Sequence, residues 1–273
     1  ATMFNNLCSQ VTIVEKQKHL MAPMDDVMSV ELEKELRRKG IKVYCDATVT
    51  EILEEEGSLS CIITPNDGSG PVKTRAGQIL MAIGRRPDVS RLLGKDISLD
   101  MKDGKIAVDS DFETSEPGVY AIGDVAARTQ LAHVAAAQGT YVVEKIAGRP
   151  HSIKLEVVPN GMFVSLPIVP NCIYTDPEIA TVGITEEIAK KYGLKVRCGH
   201  FSMRDNGKSI ITGEEHGFIR LLFEAYSNTI VGAQMMCPRA TDMIGEIATA
   251  IANGLTAQEM SFAMRAQPTY NEG

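Results

Sequence analysis

Three stretches of this chain carry residues whose types and spacing could do chemistry. In the first, the apolar residues 119–122 run into Gly123 and Asp124. Glycine lets a backbone turn tightly and come close to a ligand. A carboxylate just past a strand end sits where doubly wound sheets bind ligands, and it accepts hydrogen bonds from sugar-like hydroxyls. Taken alone, the pair also suits a plain turn. In the second, Glu15 closes the apolar run that follows Gln10. An acid there is either a ribose ligand or a solvated charge. In the third, Gln267 stands five residues before Glu272. An amide donates and accepts hydrogen bonds but is no general base near neutral pH. Glu272 beside it also suits an ordinary surface carboxylate.

The elements that must position these residues follow from periodicity. Residues 1–7 look like the middle of a helix, and 10–15 like a buried strand ending in the acid. Residues 27–39 predict a helix through Val30, Leu32 and Leu36, stopped by Gly40. Residues 41–45 predict a strand, and 49–53 with 59–64 a hairpin around Glu-Glu-Gly. Residues 79–83 predict a buried strand ending at Gly84, which alone also suits a strand-to-loop turn. Residues 134–147 predict a helix. Thr185 caps a helix through Lys191. Residues 216–222 and 229–233 predict adjacent antiparallel strands, and 241–253 a helix ended by Gly254. Thr256-Ala-Gln-Glu259 is a capping box. A sheet with helices on one face would leave its other face free to pair with a second subunit.

Composition narrows the classes. The chain has 273 residues, 44% hydrophobic and 23% charged, enough for two domains or parts of three. A net charge of -7 gives nucleic-acid binding little support. The basic run Arg37-Arg38-Lys39 fits a solvated helix end. No apolar run approaches a membrane span, and no secretory signal opens the chain. Cys8, Cys45, Cys61, Cys172, Cys198 and Cys237 are too far apart in sequence for a metal or redox pair. They read as reduced thiols of a cytoplasmic protein.

Longer phrases carry a resemblance. Thr114-Ser115-Glu116-Pro117-Gly118-Val119-Tyr120-Ala121-Ile122-Gly123-Asp124-Val125 resembles the second flavin-binding segment of the two-dinucleotide-binding-domain disulfide reductases. These are the class I pyridine nucleotide-disulfide oxidoreductases, the family of dihydrolipoyl dehydrogenase and glutathione reductase. Gly84-Arg85-Arg86-Pro87 is similar to the phrase that closes the family's NAD domain. Residues 167–183 look like the opening of its dimerisation domain. The end, Pro268, Thr269 and Glu272, matches the family's His-Pro-Thr phrase, with Gln267 at the His position.

The resemblance implies α/β fold: partial doubly wound dinucleotide-binding domains, then an α+β dimerisation domain with an antiparallel sheet. It implies the remainder of an NAD domain over 1–84, a second FAD-domain segment over 85–160 and a dimerisation domain over 161–273. Asp124 would bind the ribityl or phosphate part of FAD. Gln130, Leu131, Ala132 and His133 would lie along the flavin at a helix start, where unpaired N–H groups favour negative charge; His133 alone also suits a helix-end polar residue. Glu15 would bond the ribose hydroxyls of NAD, favouring it over NADP, with backbone near Val49 and Gly84 lining that site. Gln267 and Glu272 would stand at the family's acid–base pair. Both cofactor sites are incomplete: the glycine-rich loop expected about 20 residues before Glu15, the first flavin-phosphate loop and the reactive cysteine pair lie outside this stretch. The expectation is therefore the carboxyl-terminal part of a dihydrolipoyl dehydrogenase-like homodimer, inactive when isolated, with a 2-oxo acid dehydrogenase complex as partner of the whole protein. Gln267 leaves open a sibling flavoprotein without dithiol chemistry, such as an NAD(P)H oxidase, transhydrogenase or quinone reductase. A non-enzymatic dimerising fragment also remains open.

Overall fold

The strand Thr12–Val14 runs parallel to Lys42–Tyr44, with Ile13 opposite Val43. Parallel neighbours need a crossover, and the helix Asp26–Arg38 supplies it. This computed structural model describes every residue except 22, 23, 91, 95, 96, 128 and 158–165. The chain divides into two compact units, one of Ala1–Leu80 with Val158–Gly273 and one of Met81–Val157.

In the first unit a short helix, Thr2–Asn6, precedes the parallel pair. Thr12–Val14 is half-exposed rather than buried, because among the described residues it has one neighbouring strand. The crossover helix buries Met28, Leu32 and Leu36, one residue per turn of a single face. Of the irregularly spaced apolar residues expected along this helix, Leu32 and Leu36 join the buried face with Met28, and Val30 is exposed. The helix stops where expected. Gly40 adopts φ 81°, Gly40 N–H donates to the Arg37 carbonyl and Ile41 N–H to that of Leu36. Those two bonds form a Schellman stop, and the left-handed residue it needs strains any side chain but glycine. Arg37 Nη2 also donates to the Val43 carbonyl at 2.6 Å, occupying the outer edge of the strand Lys42–Tyr44. The expected hairpin is present as Ala47–Glu55 against Ser58–Pro65, with Val72–Ala76 added as a third strand and an irregular register between Val49 and Glu51.

The expected strand at 79–83 does not form. Leu80, Met81 and Ile83 are 78%, 65% and 88% exposed. Apolar, β-branched residues make a strand only against a partner ladder, and among the described residues none pairs with this run.

The rest of the first unit is a five-stranded antiparallel sheet. Its order is Asn171–Ile173, Ile179–Gly183, Ile230–Met236, Phe218–Glu224, Val196–Ser202. Every residue of the central strand is buried. The helix Ala240–Ala252 buries Ile244, Ile247 and Ile251 and packs on the two strands Ile179–Gly183 and Ile230–Met236. The opposite face is not left free. Met28, Leu32 and Leu36 of the crossover helix share one core with Ile179, Phe218 and Met236. Thr185 caps Glu186–Lys191 by accepting from Ile188 N–H, and the Thr256–Glu259 capping box is present.

In the second unit Leu99, Ile106 and Ala121 form a small core with Val89, Val108 and Val125 around it. The expected strand at 119–122 is reduced to one bridge, Tyr120 to Glu113. The helix Ala132–Ile146 buries Val134, Gln138 and Val142, again one residue per turn.

Candidate functional site

Gly123 is the hinge of the flavin-type segment. It is buried at φ 67°, and a Cβ added there would lie 2.8 Å from the Ala135 Cβ. Glycine alone meets both demands. Its N–H donates to Gln138 Oε1 at 2.8 Å, and its carbonyl accepts from Ala126 and Ala127 N–H. Those bonds close the 3-10 turn Gly123–Val125 against the helix Ala132–Ile146 and leave Asp124 exposed.

Gln130 Nε2 donates to the Asp124 carbonyl at 3.4 Å, so the segment is tied across six residues. Leu131 is the helix N-cap, extended at φ -133°, and its apolar side chain makes no cap bond. Ala132 and His133 are exposed on the first turn. An exposed carboxylate and a helix start without a side-chain cap suit a group that carries hydroxyls and negative charge. The residues present therefore fit the flavin nucleotide expected there. The sequence reading missed Gln138. Its signal was an amide among apolar residues of a helix, since a buried amide needs a partner.

In the first unit Glu15 follows its strand as expected. Glu15 N–H donates to the Tyr44 carbonyl at 2.8 Å, and Oε1 accepts from Gln17 N–H at 2.7 Å. The other carboxylate oxygen has no bond to a described residue, which suits a diol ligand. Val49 is exposed beside the irregular register of its strand. Gly84 is exposed and belongs to the second unit.

The terminal phrase is anchored on its own domain. Asn206 Nδ2 donates to the Thr269 carbonyl at 3.0 Å, Arg265 pairs with Glu246 at 2.6 Å, and the Tyr270 hydroxyl donates to Glu214. Burial, with Glu214 beside it, raises the Tyr270 phenol above its ordinary value. Glu272 Oε2 accepts from Thr269 N–H at 3.0 Å in a capping box. Gln267 is exposed, and no hydrogen bond joins it to Glu272. The carboxylate is thus turned to the backbone.

The cysteines do not assemble a thiol site. All six are free, and burial with Glu178 nearby pushes Cys237 up to about 12. Among the described residues no group of His, Cys, Asp and Glu is placed to hold a metal ion. No described helix is long and apolar enough to cross a membrane.

Comparison with known proteins agrees with this architecture. The family described as pyridine nucleotide-disulphide oxidoreductase matches residues 1–139, and its dimerisation domain matches residues 169–273. A dihydrolipoyl dehydrogenase of Geobacillus stearothermophilus is 32% identical over 273 residues, covering 99% of this chain and 55% of that protein. One from Rhizobium etli is 30% identical over 272 residues, covering 100% and 54%. The chain spans about half the length of the curated relatives it matches. Among solved structures, LpdA of Mycobacterium tuberculosis is similar in fold at 24% identity, with a TM-score of 0.85 over 99% of this chain and 56% of its own. The HOCl-induced flavoprotein disulfide reductase RclA of Escherichia coli is similar in fold at 19% identity, again with a TM-score of 0.85, over 98% and 58%. The mixed α/β units, the antiparallel sheet and these matches agree, and the chain belongs to the pyridine nucleotide-disulphide oxidoreductase family.

Proposed function

We propose that the chain works as part of a flavoprotein that transfers electrons between NAD(H) and a dithiol or disulfide through FAD, most like dihydrolipoyl dehydrogenase. The observation that carries this reading is the Gly123 turn locked on the helix Ala132–Ile146, which presents Asp124 beside an uncapped helix start. Bound together, the two cofactors would supply the two-electron path between nicotinamide and disulfide. In this reading Asp124 accepts hydrogen bonds from the FAD ribityl or phosphate group, and Gln130 to His133 line the flavin. Glu15 accepts from the ribose of NAD, and backbone at Val49 lines the nucleotide. Residues 1–84, 85–160 and 161–273 serve as NAD, FAD and dimerisation segments. The reading extends to a cytoplasmic homodimer that docks on a 2-oxo acid dehydrogenase complex.

Gln267 supports a second reading, a sibling flavoprotein that has given up dithiol exchange. The Gln267 amide cannot carry the proton, and Glu272 is engaged by Thr269. Assays of the whole protein decide between the two. NADH-dependent lipoamide reduction by a yellow preparation supports the first reading. A yellow preparation that oxidises NADH with oxygen or quinone but leaves lipoamide untouched supports the second. A colourless one overturns both.

A further inference from the structure

The crossover helix Asp26–Arg38 meets the antiparallel sheet through an apolar face and a buried polar line. Asp25, Gln234 and Arg220 are 5%, 1% and 8% exposed. Gln234 Nε2 donates to Asp25 Oδ2 at 2.5 Å, and Arg220 Nη1 donates to Gln234 Oε1 at 2.9 Å. Arg220 Nη1 lies 3.8 Å from Asp25 Oδ2, and Nη2 pairs with Glu186. Both ends of the Gln234 amide are therefore fixed.

Burying such groups costs stability unless they are paired, and an apolar set of similar volume would pack as well. What the polar line adds is register. Met28, Leu32 and Leu36 recur every four residues, so a slip of the helix by one turn, about 5.4 Å, would exchange one apolar contact for the next. Asp25 has no equivalent one turn later, where Ser29 stands. Ser29 is engaged elsewhere. Its hydroxyl donates to the Leu20 carbonyl at 2.5 Å, and Leu20 is buried in the same core. Leu20 lies in the loop that follows Glu15, and Asp46 N–H donates to the Gln17 carbonyl of that loop at 2.7 Å. The helix thus anchors this loop at Leu20, and the strand Lys42–Tyr44 with Asp46 holds its head at Glu15 and Gln17.

We propose that Asp25, Gln234 and Arg220 are positioning residues for the nucleotide, acting through the helix Asp26–Arg38 and Ser29 on Glu15. The inference rests on the reading of Glu15 as the ribose ligand. The test uses the whole flavoprotein with FAD bound and reads NAD binding by equilibrium titration alongside turnover and thermal melting. Gln234→Met keeps length and volume but severs both bonds. It is expected to raise the NAD dissociation constant by about tenfold, the scale of one lost buried bond to a charged group, with kcat and flavin content held. Ser29→Ala removes only the bond to the Leu20 carbonyl and is expected to raise the NAD dissociation constant by about fivefold, the scale of one lost buried hydrogen bond, a milder case that remains readable where Gln234→Met fails to fold. A lowered melting temperature with unchanged NAD affinity in both variants would make the line merely structural and overturn the inference. Glu15→Ala is the control. If it leaves NAD affinity unchanged, the ribose reading fails and the inference falls with it. If it weakens binding while Gln234→Met does not, only the inference falls.

Discussion

An amide at position 267 gives Glu272 no base to orient, and the carboxylate caps Thr269 instead. Replacing Gln267→His in the whole protein is expected to raise lipoamide reduction by about 10²-fold, the lower range for a restored acid–base group. Stopped-flow reduction with intact cysteines and bound flavin measures it, and no gain would assign the site to another reaction. Gly123 is the second decisive residue. Gly123→Ala forces a side chain into φ 67° and against Ala135, 2.8 Å away. It is expected to cost about 1–3 kcal/mol and to loosen flavin. Denaturant melts and the flavin absorbance of the purified variant check both effects; a variant as stable and as yellow as the parent would remove Gly123 from the site. Asp124 and Glu15 stand out in the sequence because each is a carboxylate just past an apolar run. Gln138 and Gln234 do not, because a buried amide announces that it needs a partner without naming one.

Elements stabilised by local chemistry were read well. Thr185, Gly40 and the Thr256–Glu259 pair mark helix ends through bonds within a few residues, and the structure has them. Elements that depend on distant partners were read poorly. Residues 79–83 have strand composition but no ladder, and 119–122 keep one bridge. Val30 lies off the buried face of the crossover helix, since an irregular apolar spacing does not say which stripe meets the sheet. The turn after the strand Phe218–Glu224 offers a test at this scale. Glu224 accepts from Tyr226 and Ser227 N–H at 2.9 and 2.6 Å, and those N–H groups hold its carboxyl below the usual range. A lowered folded value means that the carboxylate stabilises above the ordinary glutamate value, about 4.3, and that this contribution is lost as pH falls through the lower folded value. Melting temperature followed from pH 6 to pH 3, a window set at about the glutamate range, should fall less steeply for Glu224→Gln than for the parent. Equal slopes would show that Glu224 is not the acid-sensitive group of this turn.

For the molecule as a whole, the dimerisation-domain match leads us to expect a two-fold dimer. Sedimentation at micromolar concentration tests it, and a monomer alone would count against it. In the proposed reading Asp124 and residues 130–133 would supply one part of a flavin site, and on that reading the 273-residue chain by itself is expected to hold no FAD and to lack dithiol activity. A stoichiometric flavin band on the purified chain would sink that expectation. The parallel pair adds a consequence of another kind. Its outer strand, Lys42–Tyr44, has its edge carbonyl taken by Arg37, whereas no described strand lies beyond Thr12–Val14. Strand addition to this pair is therefore expected to favour the border at Thr12–Val14 over the one where Arg37 holds the Val43 carbonyl. A chain built this way lends itself to split-protein reassembly, in which a separately expressed piece zips onto the open border and returns a signal only when it arrives on the correct side.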